Sequence, residues 1–347
     1  MYLTFYVLKE KPFNASPDPN FLYLTPGHRE ALAQLVYAVQ ESKGFIVLTG
    51  EVGTGKTTLL HTLIQRLDGD TEVVFIPYSK LSFDEIFVYM LEKLGITNTT
   101  NSRAQWLLAL DSFLMNQRLA GQKTVLIVDE AQHLDSATLE QIRLLSNFET
   151  PTEKPLQILL AGQPELKARL ELPELHQLKQ RIGLRCSIRS LTRDESRDYI
   201  RHRLRIAGAQ DVDLFTDGAV KRIAGYTGGL PRLLNIVCDH CLLFGYADQK
   251  RKIDRDVVDQ AIEYLKGEER SQNERLDTSR QHTRARLRWV FGAIVTASLG
   301  GAAFQLLGSG GLIDVMQGLE GHLTALAASA QSSLHLLLGA LRGILSV

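Results

Sequence analysis

Cysteine is scarce in this 347-residue chain: Cys186, Cys238 and Cys241 are too few for a disulfide scaffold and suit a reducing compartment. No excess of one charge sign exists either, because 39 Lys and Arg balance 39 Asp and Glu. The molecule as a whole therefore offers no counterion-release grip on nucleic acid, although a local basic strip stays open. The opening MYLTFYVLKEKPF lacks the basic stretch and following apolar stretch of a signal peptide, so the N-terminal part is expected in the cytoplasm. Internal repeats are missing. Long uncharged runs are confined to the C-terminal part, where residues 289–307 (WVFGAIVTASLGGAAFQLL) come close to the roughly 20 residues that cross a bilayer as a helix. Arg280, Arg284, Arg286 and Arg288 precede that run, and only Asp314, Glu320 and Arg342 carry charge after it. The positive-inside rule then leaves the N-terminal side cytoplasmic.

Gly50-Glu51-Val52-Gly53-Thr54-Gly55-Lys56-Thr57 is a complete GxxxxGKT phosphate loop. It follows a short apolar run, Gly44 to Thr49, that reads as a buried parallel strand, and it opens a helical pattern from Thr58 to Leu67. Its glycines let successive backbone N–H groups turn inward around phosphate oxygens, and the next helix presents its positive dipole end to the same anion. Lys56 adds a point charge for the β and γ phosphates, and the Thr57 hydroxyl is placed to ligate magnesium. Residues 50–58, Thr58 included, are thus the expected cradle of a nucleoside triphosphate.

Four further strands are expected at Glu72 to Pro77, Lys123 to Asp129, Leu156 to Ala161 and Gly183 to Ile188, with helical pattern between them, as at Asp84 to Leu94 and Gln105 to Leu119. Strands alternating with helices predict an α/β fold with a parallel sheet covered on both faces. After Leu191 the strand signal stops, and helices are expected at Arg193 to Ala207, Thr216 to Tyr226, Pro231 to Ala247 and Asp254 to Leu265. The resulting boundaries are an N-terminal arm and first helix at 1–43, a nucleotide-binding core at 44–190, a helical lid at 191–266, a charged linker at 267–288, the span at 289–307 and an apolar tail at 308–347. Leu312, Met316, Leu319, Leu323, Leu326 and Ala330 place a heptad seam in that tail, compatible with a coiled coil, a membrane-lying helix or a return through the bilayer.

Val125-Leu126-Ile127-Val128-Asp129-Glu130 is an apolar strand ending in two carboxylates, the Walker B arrangement. Asp129 can hold magnesium, and Glu130 can polarise the water that attacks the γ phosphate. Cys238-Asp239-His240-Cys241 falls within a helical pattern without a second ligand pair, so it reads as a buried lid pair rather than a zinc site. Phe13, Phe21 and Tyr23 fit core packing and cover for a nucleobase equally well, and His28 is undecided.

Together with MYLTFYVLKEKPFNASPDPNFLYLTPGHREAL, GEVGTGKTTLL, LIVDEAQHL, LLAGQPEL, LKQRI and GGLPRLLN, these motifs resemble the AAA+ ATPases, and more narrowly the general secretion pathway protein A (ExeA-type) family. ATPases of pilus biogenesis and exosortase-associated secretion are close relatives. The resemblance covers about residues 1–266. It implies a P-loop AAA+ αβα fold with a five-stranded parallel sheet, the Walker B strand lying beyond an inserted one, and a small helical lid, after which the uncharged run at 289–307 adds the expected C-terminal transmembrane helix. ATP and Mg2+ are the implied ligands.

Position by position, the resemblance puts Gln163 where a polar residue senses the γ phosphate, although Gln163 can equally bond backbone. It puts Arg232 at the lid arginine that reaches the phosphates. Arg181 falls at the arginine finger that completes a neighbouring subunit's site, with Arg185 as the alternative. A finger in trans requires a homo-oligomer, by resemblance a ring. Fuller relatives carry a large periplasmic peptidoglycan-binding domain after the span, whereas 40 residues follow it in this chain. The implied function is a membrane-anchored ATPase of the inner membrane that hydrolyses ATP to drive or license assembly of an envelope secretion or surface-export machine, with an inner-membrane partner protein. A DNA-associated regulator of the transposition-ATPase type and a nucleotide-gated scaffold with little turnover are the alternatives.

Overall fold

The computed structural model describes residues 1–14, 21–67, 69–77, 80–96, 102–148 and 154–268. Five strands alternate with helices as expected: β1 (Phe45–Gly50), β2 (Thr71–Ile76), β3 (Lys123–Val128), β4 (Leu156–Gly162) and β5 (Ile182–Ile188). All pair in parallel in the order β2-β3-β4-β1-β5. The carboxylate-tipped β3 is thus separated from β1 by β4, the inserted strand that the family resemblance implies.

Side chains on a strand alternate between faces, and this period divides the core in two. Phe45, Val47, Leu126, Val128, Ile158 and Leu160 face α4 (Phe83–Lys93), α5 (Arg103–Leu119), α6 (Ser136–Leu145), α7 (Pro164–Leu170) and α8 (His176–Arg181). Ile46, Leu48, Val125, Ile127, Leu159 and Ala161 face α2 (Pro26–Gln40) and α3 (Lys56–Arg66). Each fully buried Leu, Ile or Phe contributes about 1.5–3 kcal/mol, so this three-layer burial is the main source of stability. Local signals set the ends: Thr25 caps α2 with Pro26 in its first turn, and Ser82 with Glu85 forms a capping box on α4.

The lid comprises α9 (Arg193–Ile206), α10 (Asp217–Thr227), α11 (Pro231–Ala247) and α12 (255–268). Thr192 caps α9, its side chain accepting from the Glu195 N–H. Cys238 and Cys241 are fully buried in the lid cluster. The arm at 1–43 divides between two bodies of packing. Its first residues, including α1 (Tyr2–Phe5), Tyr6, Phe13 and Phe21, join the lid core, while α2 belongs to the sheet. Tyr2 Oη donates to Asp239 Oδ1 at 2.7 Å, and Tyr6 Oη donates to the Lys250 carbonyl at 3.0 Å.

No helix among the described residues is long and apolar enough to cross a membrane. The expected span at 289–307, the rest of the linker and the heptad tail lie outside the described residues.

Candidate active site

The phosphate loop leaves the C-terminal end of β1 and enters α3 directly. Gly53 and Gly55 have φ of 81° and 96°, backbone that L side chains rarely adopt. A Cβ at Gly53 would also stand 2.9 Å from Arg232 Cβ, so the loop passes tightly under the lid. Lys56 is 5% exposed and its Nζ donates to the Gly50 and Glu51 carbonyls at 2.8 and 3.0 Å. Burial lowers its pKa, opposed by the charges of Glu130, Asp129, Glu51 and Glu165.

Thr57 and Asp129, 72 residues apart in sequence, are brought together by the sheet. Thr57 Oγ1 donates to Asp129 Oδ2 at 2.6 Å, and Asp129 is 3% exposed. Magnesium takes hard oxygen donors from one or two protein groups beside waters and phosphates, so this hydroxyl and carboxylate fit the ion expected at this point.

Glu130 follows β3 with φ 53°, a left-handed backbone that costs a non-glycine residue about 1–2 kcal/mol. Its N–H donates to Asp129 Oδ1 at 2.8 Å. Two amides converge on its carboxylate: Gln132 Nε2 donates to Oε2 at 2.6 Å and Gln163 Nε2 to the same oxygen at 3.1 Å. Burial pushes the Glu130 pKa up, but these amides and the charges of Lys56 and His133 outweigh it, and the carboxyl is held below its ordinary value. Gln163, the N-cap of α7, thus reaches the Glu130 carboxylate through its side chain.

A cleft of about 450 Å³ runs from this loop to the lid. Loop residues Val52 to Thr58 and Glu130 line one end, and Phe21 to Leu24, Tyr199, Arg203 and Asn235 line the other. Arg232 lines it as well, with its N–H donating to the Gly53 carbonyl at 3.3 Å. Arg203, 6% exposed, donates to the Pro12 carbonyl at 2.6 Å and to Tyr199 Oη at 2.9 Å, and its guanidinium lies 4.7 Å from the Phe21 ring centroid. Tyr199 Oη in turn donates to Asn235 Oδ1 at 2.8 Å. Phe21 and Tyr23 both pack with the lid cluster and line the cleft, whereas Phe13 packs with the lid cluster without lining it.

Arg181 does not join this group within one chain. It ends α8 just before Ile182, which pairs with Phe45, the first residue of β1, whereas the phosphate loop follows the last. At about 3.3 Å per residue the six-residue β1 separates the two by roughly 17 Å along the strand. The half-buried Arg181 donates to Ser146 Oγ. Arg185 is exposed on β5, 3.5 Å from Glu171 Oε1.

Two residues had no assigned role in the sequence. His28 Nε2 lies 2.9 Å from the Thr54 carbonyl and Nδ1 2.7 Å from Thr25 Oγ1. A carbonyl only accepts, so Nε2 carries the proton and ties α2 to the phosphate loop. Gln132, in the turn after β3, is 7% exposed, and its Oε1 accepts from the Gln163 N–H at 3.1 Å. An amide two positions after the Walker B carboxylate pair was the available signal.

A family model described as an AAA domain matches residues 39–170. General secretion pathway protein A of Aeromonas hydrophila is 41% identical over 255 residues, covering 73% of this chain and 46% of the relative. The chain spans less than half the length of the curated relatives it matches. Among solved structures, the ADP form of the Aeropyrum pernix ORC2 protein superposes with a TM-score of 0.56 at 16% identity, covering 74% of this chain and 73% of that one. The same protein's ADPNP-ADP complexes give 0.55 at 17% identity, covering 74% of this chain and 71% of that one. These likenesses establish the fold.

Proposed function

The chain belongs to the AAA+ ATPases and is a relative of General secretion pathway protein A; on that footing we propose that it binds ATP with Mg2+ and hydrolyses it as a membrane-anchored oligomer serving an envelope secretion or surface-export machine. The observation that carries the chemistry is the convergence of Lys56, Thr57, Asp129, Glu130 and Gln163 at the C-terminal ends of β1, β3 and β4. Nucleotide complexes of a protein sharing the fold support the choice of ligand.

Residues 50–58 would wrap the phosphates, with Lys56 exchanging its loop carbonyls for phosphate oxygens. Thr57 and Asp129 would hold magnesium, which when bound neutralises charge on the β and γ phosphates. Glu130 would orient the attacking water and accept its proton, Gln163 would contact the γ phosphate, and Arg232 would bring the lid onto the nucleotide. Arg181, far from its own site, would serve a neighbour's. That geometry favours a ring of identical subunits.

Support for the anchor is in the sequence alone: the uncharged 289–307 run behind four arginines, which would put a single pass in the inner membrane with the ATPase in the cytoplasm. The secretion role rests on the likeness to General secretion pathway protein A, and a partner protein in the envelope follows from that role.

Replacing Glu130 by Gln tests the chemistry. Turnover should fall about 10²- to 10⁴-fold while ATP binding persists; unchanged turnover would mean that Glu130 is not the base. Deleting 289–347 should move the protein from the membrane fraction to the soluble one, and retention on membranes would refute the anchor.

A further inference from the structure

Gln132 touches both groups on which the proposed hydrolysis depends, and its role rests on that ATPase function. We propose that Gln132 is a positioning residue: it clamps the Glu130 carboxylate and joins it to the Gln163 backbone, so that base and phosphate sensor act as one rigid unit.

The orientation of the Gln132 amide follows from its neighbours. The Gln163 N–H can only donate, so it faces Oε1 at 3.1 Å, and the carboxylate of Glu130 can only accept, so it faces Nε2 at 2.6 Å. A flipped amide would set donor against donor and acceptor against acceptor. The arrangement also has space reserved for it: a Cβ at Gly162 would stand 2.8 Å from Gln132 Oε1 and 2.9 Å from Leu166 Cδ2. The glycine that ends β4 therefore lets the amide approach the strand.

Both amide donors meet on Glu130 Oε2. The other carboxylate oxygen, Oε1, has no protein partner among the described residues, and Glu130 lines the cleft. Gln132 thereby fixes the carboxylate through one oxygen and leaves the second for the water. Since the left-handed Glu130 backbone launches this side chain from a turn rather than a regular element, its aim depends on such a clamp.

Gln132→Met keeps the length of the side chain and removes both hydrogen bonds. The kcat for ATP should fall about ten- to hundredfold, the effect of losing a hydrogen bond to a charged group at the reacting centre, while ATP affinity stays within about twofold of the parent. In single-turnover measurements on Glu130→Gln protein, adding Gln132→Met should cost nothing more, because a residue acting through Glu130 has nothing left to position. An undiminished kcat, or an equal fall in both backgrounds, would overturn the proposal. Should the Met variant lose ATP binding, Gln132→Glu carries the test instead: it retains the acceptor facing Gln163 and sets a second carboxylate against Glu130, so kcat should fall in the parent and not in the Glu130→Gln background, and an equal fall in both would overturn the proposal. Absence of hydrolysis by the unaltered chain would instead refute the ATPase reading.

Discussion

Gly228 and Gly229, adjacent in the lid motif GGLPRLLN, permit a controlled test of how the lid is hung on the core. Both occupy left-handed backbone, with φ of 58° and 74°, so alanine at either carries a backbone cost of about 1–2 kcal/mol. Their surroundings differ. A Cβ at Gly228 meets nothing within 4 Å, whereas at Gly229 it would stand 1.9 Å from the Leu191 carbonyl oxygen and 2.9 Å from its carbon. Carbon and oxygen need about 3.3 Å, so the backbone at Leu191 must move by more than about 1 Å. That movement breaks or stretches the Leu191 N–H to Gly229 carbonyl bond of 2.9 Å, and overpacking adds about 1–3 kcal/mol. Gly229→Ala should therefore destabilise by about 2–5 kcal/mol and Gly228→Ala by about 1–2 kcal/mol, read as denaturant midpoints at unchanged m-value. Leu191 also lines the cleft, and Arg232 follows three residues after Gly229. ATP affinity, measured by fluorescent-nucleotide titration below the unfolding transition, should consequently fall in Gly229→Ala and hold in Gly228→Ala. Equal effects of the two substitutions would refute the idea that close backbone contact at Leu191 seats the lid.

Arg181→Ala should lower turnover of the assembled protein about 10³- to 10⁵-fold, with partial recovery on mixing with Lys56→Ala subunits, since each supplies what the other lacks; absence of recovery in mixed assemblies would refute a finger at Arg181 acting in trans. His28→Ala removes the α2 bond to the Thr54 carbonyl and should weaken ATP binding about fivefold, corresponding to about 1 kcal/mol, in the same titration; undiminished affinity would show that the loop holds its shape unaided. Asp129→Asn should abolish the magnesium dependence of nucleotide affinity, which a titration with and without chelator reads directly.

Periodicity and end signals made most of the sheet and lid readable. Each expected strand appears within a residue or two of its range because each is a short, largely apolar run with helical pattern on either side. The short helices α6, α7 and α8 escaped notice, since six to ten residues give little period to read at 3.6 per turn. The phosphate loop was legible because its chemistry is local: consecutive N–H groups, one lysine and one hydroxyl lie on a continuous piece of chain.

Contacts across long sequence gaps were a different matter. That Thr57 meets Asp129, that Gln163 shares an oxygen of Glu130 with Gln132, and that His28 pins Thr54 depend on strand order. The arm's division between lid and sheet depends likewise on which apolar surface lies nearest once both domains have formed. By itself the sequence determined the elements and the chemical identity of the phosphate cradle, because propensity, patterning and loop chemistry act over a few residues. Only the tertiary structure decided which distant side chains share a proton, a hydrogen bond or a wall of the cleft, because parallel strands pair through long crossovers whose endpoints no local pattern records.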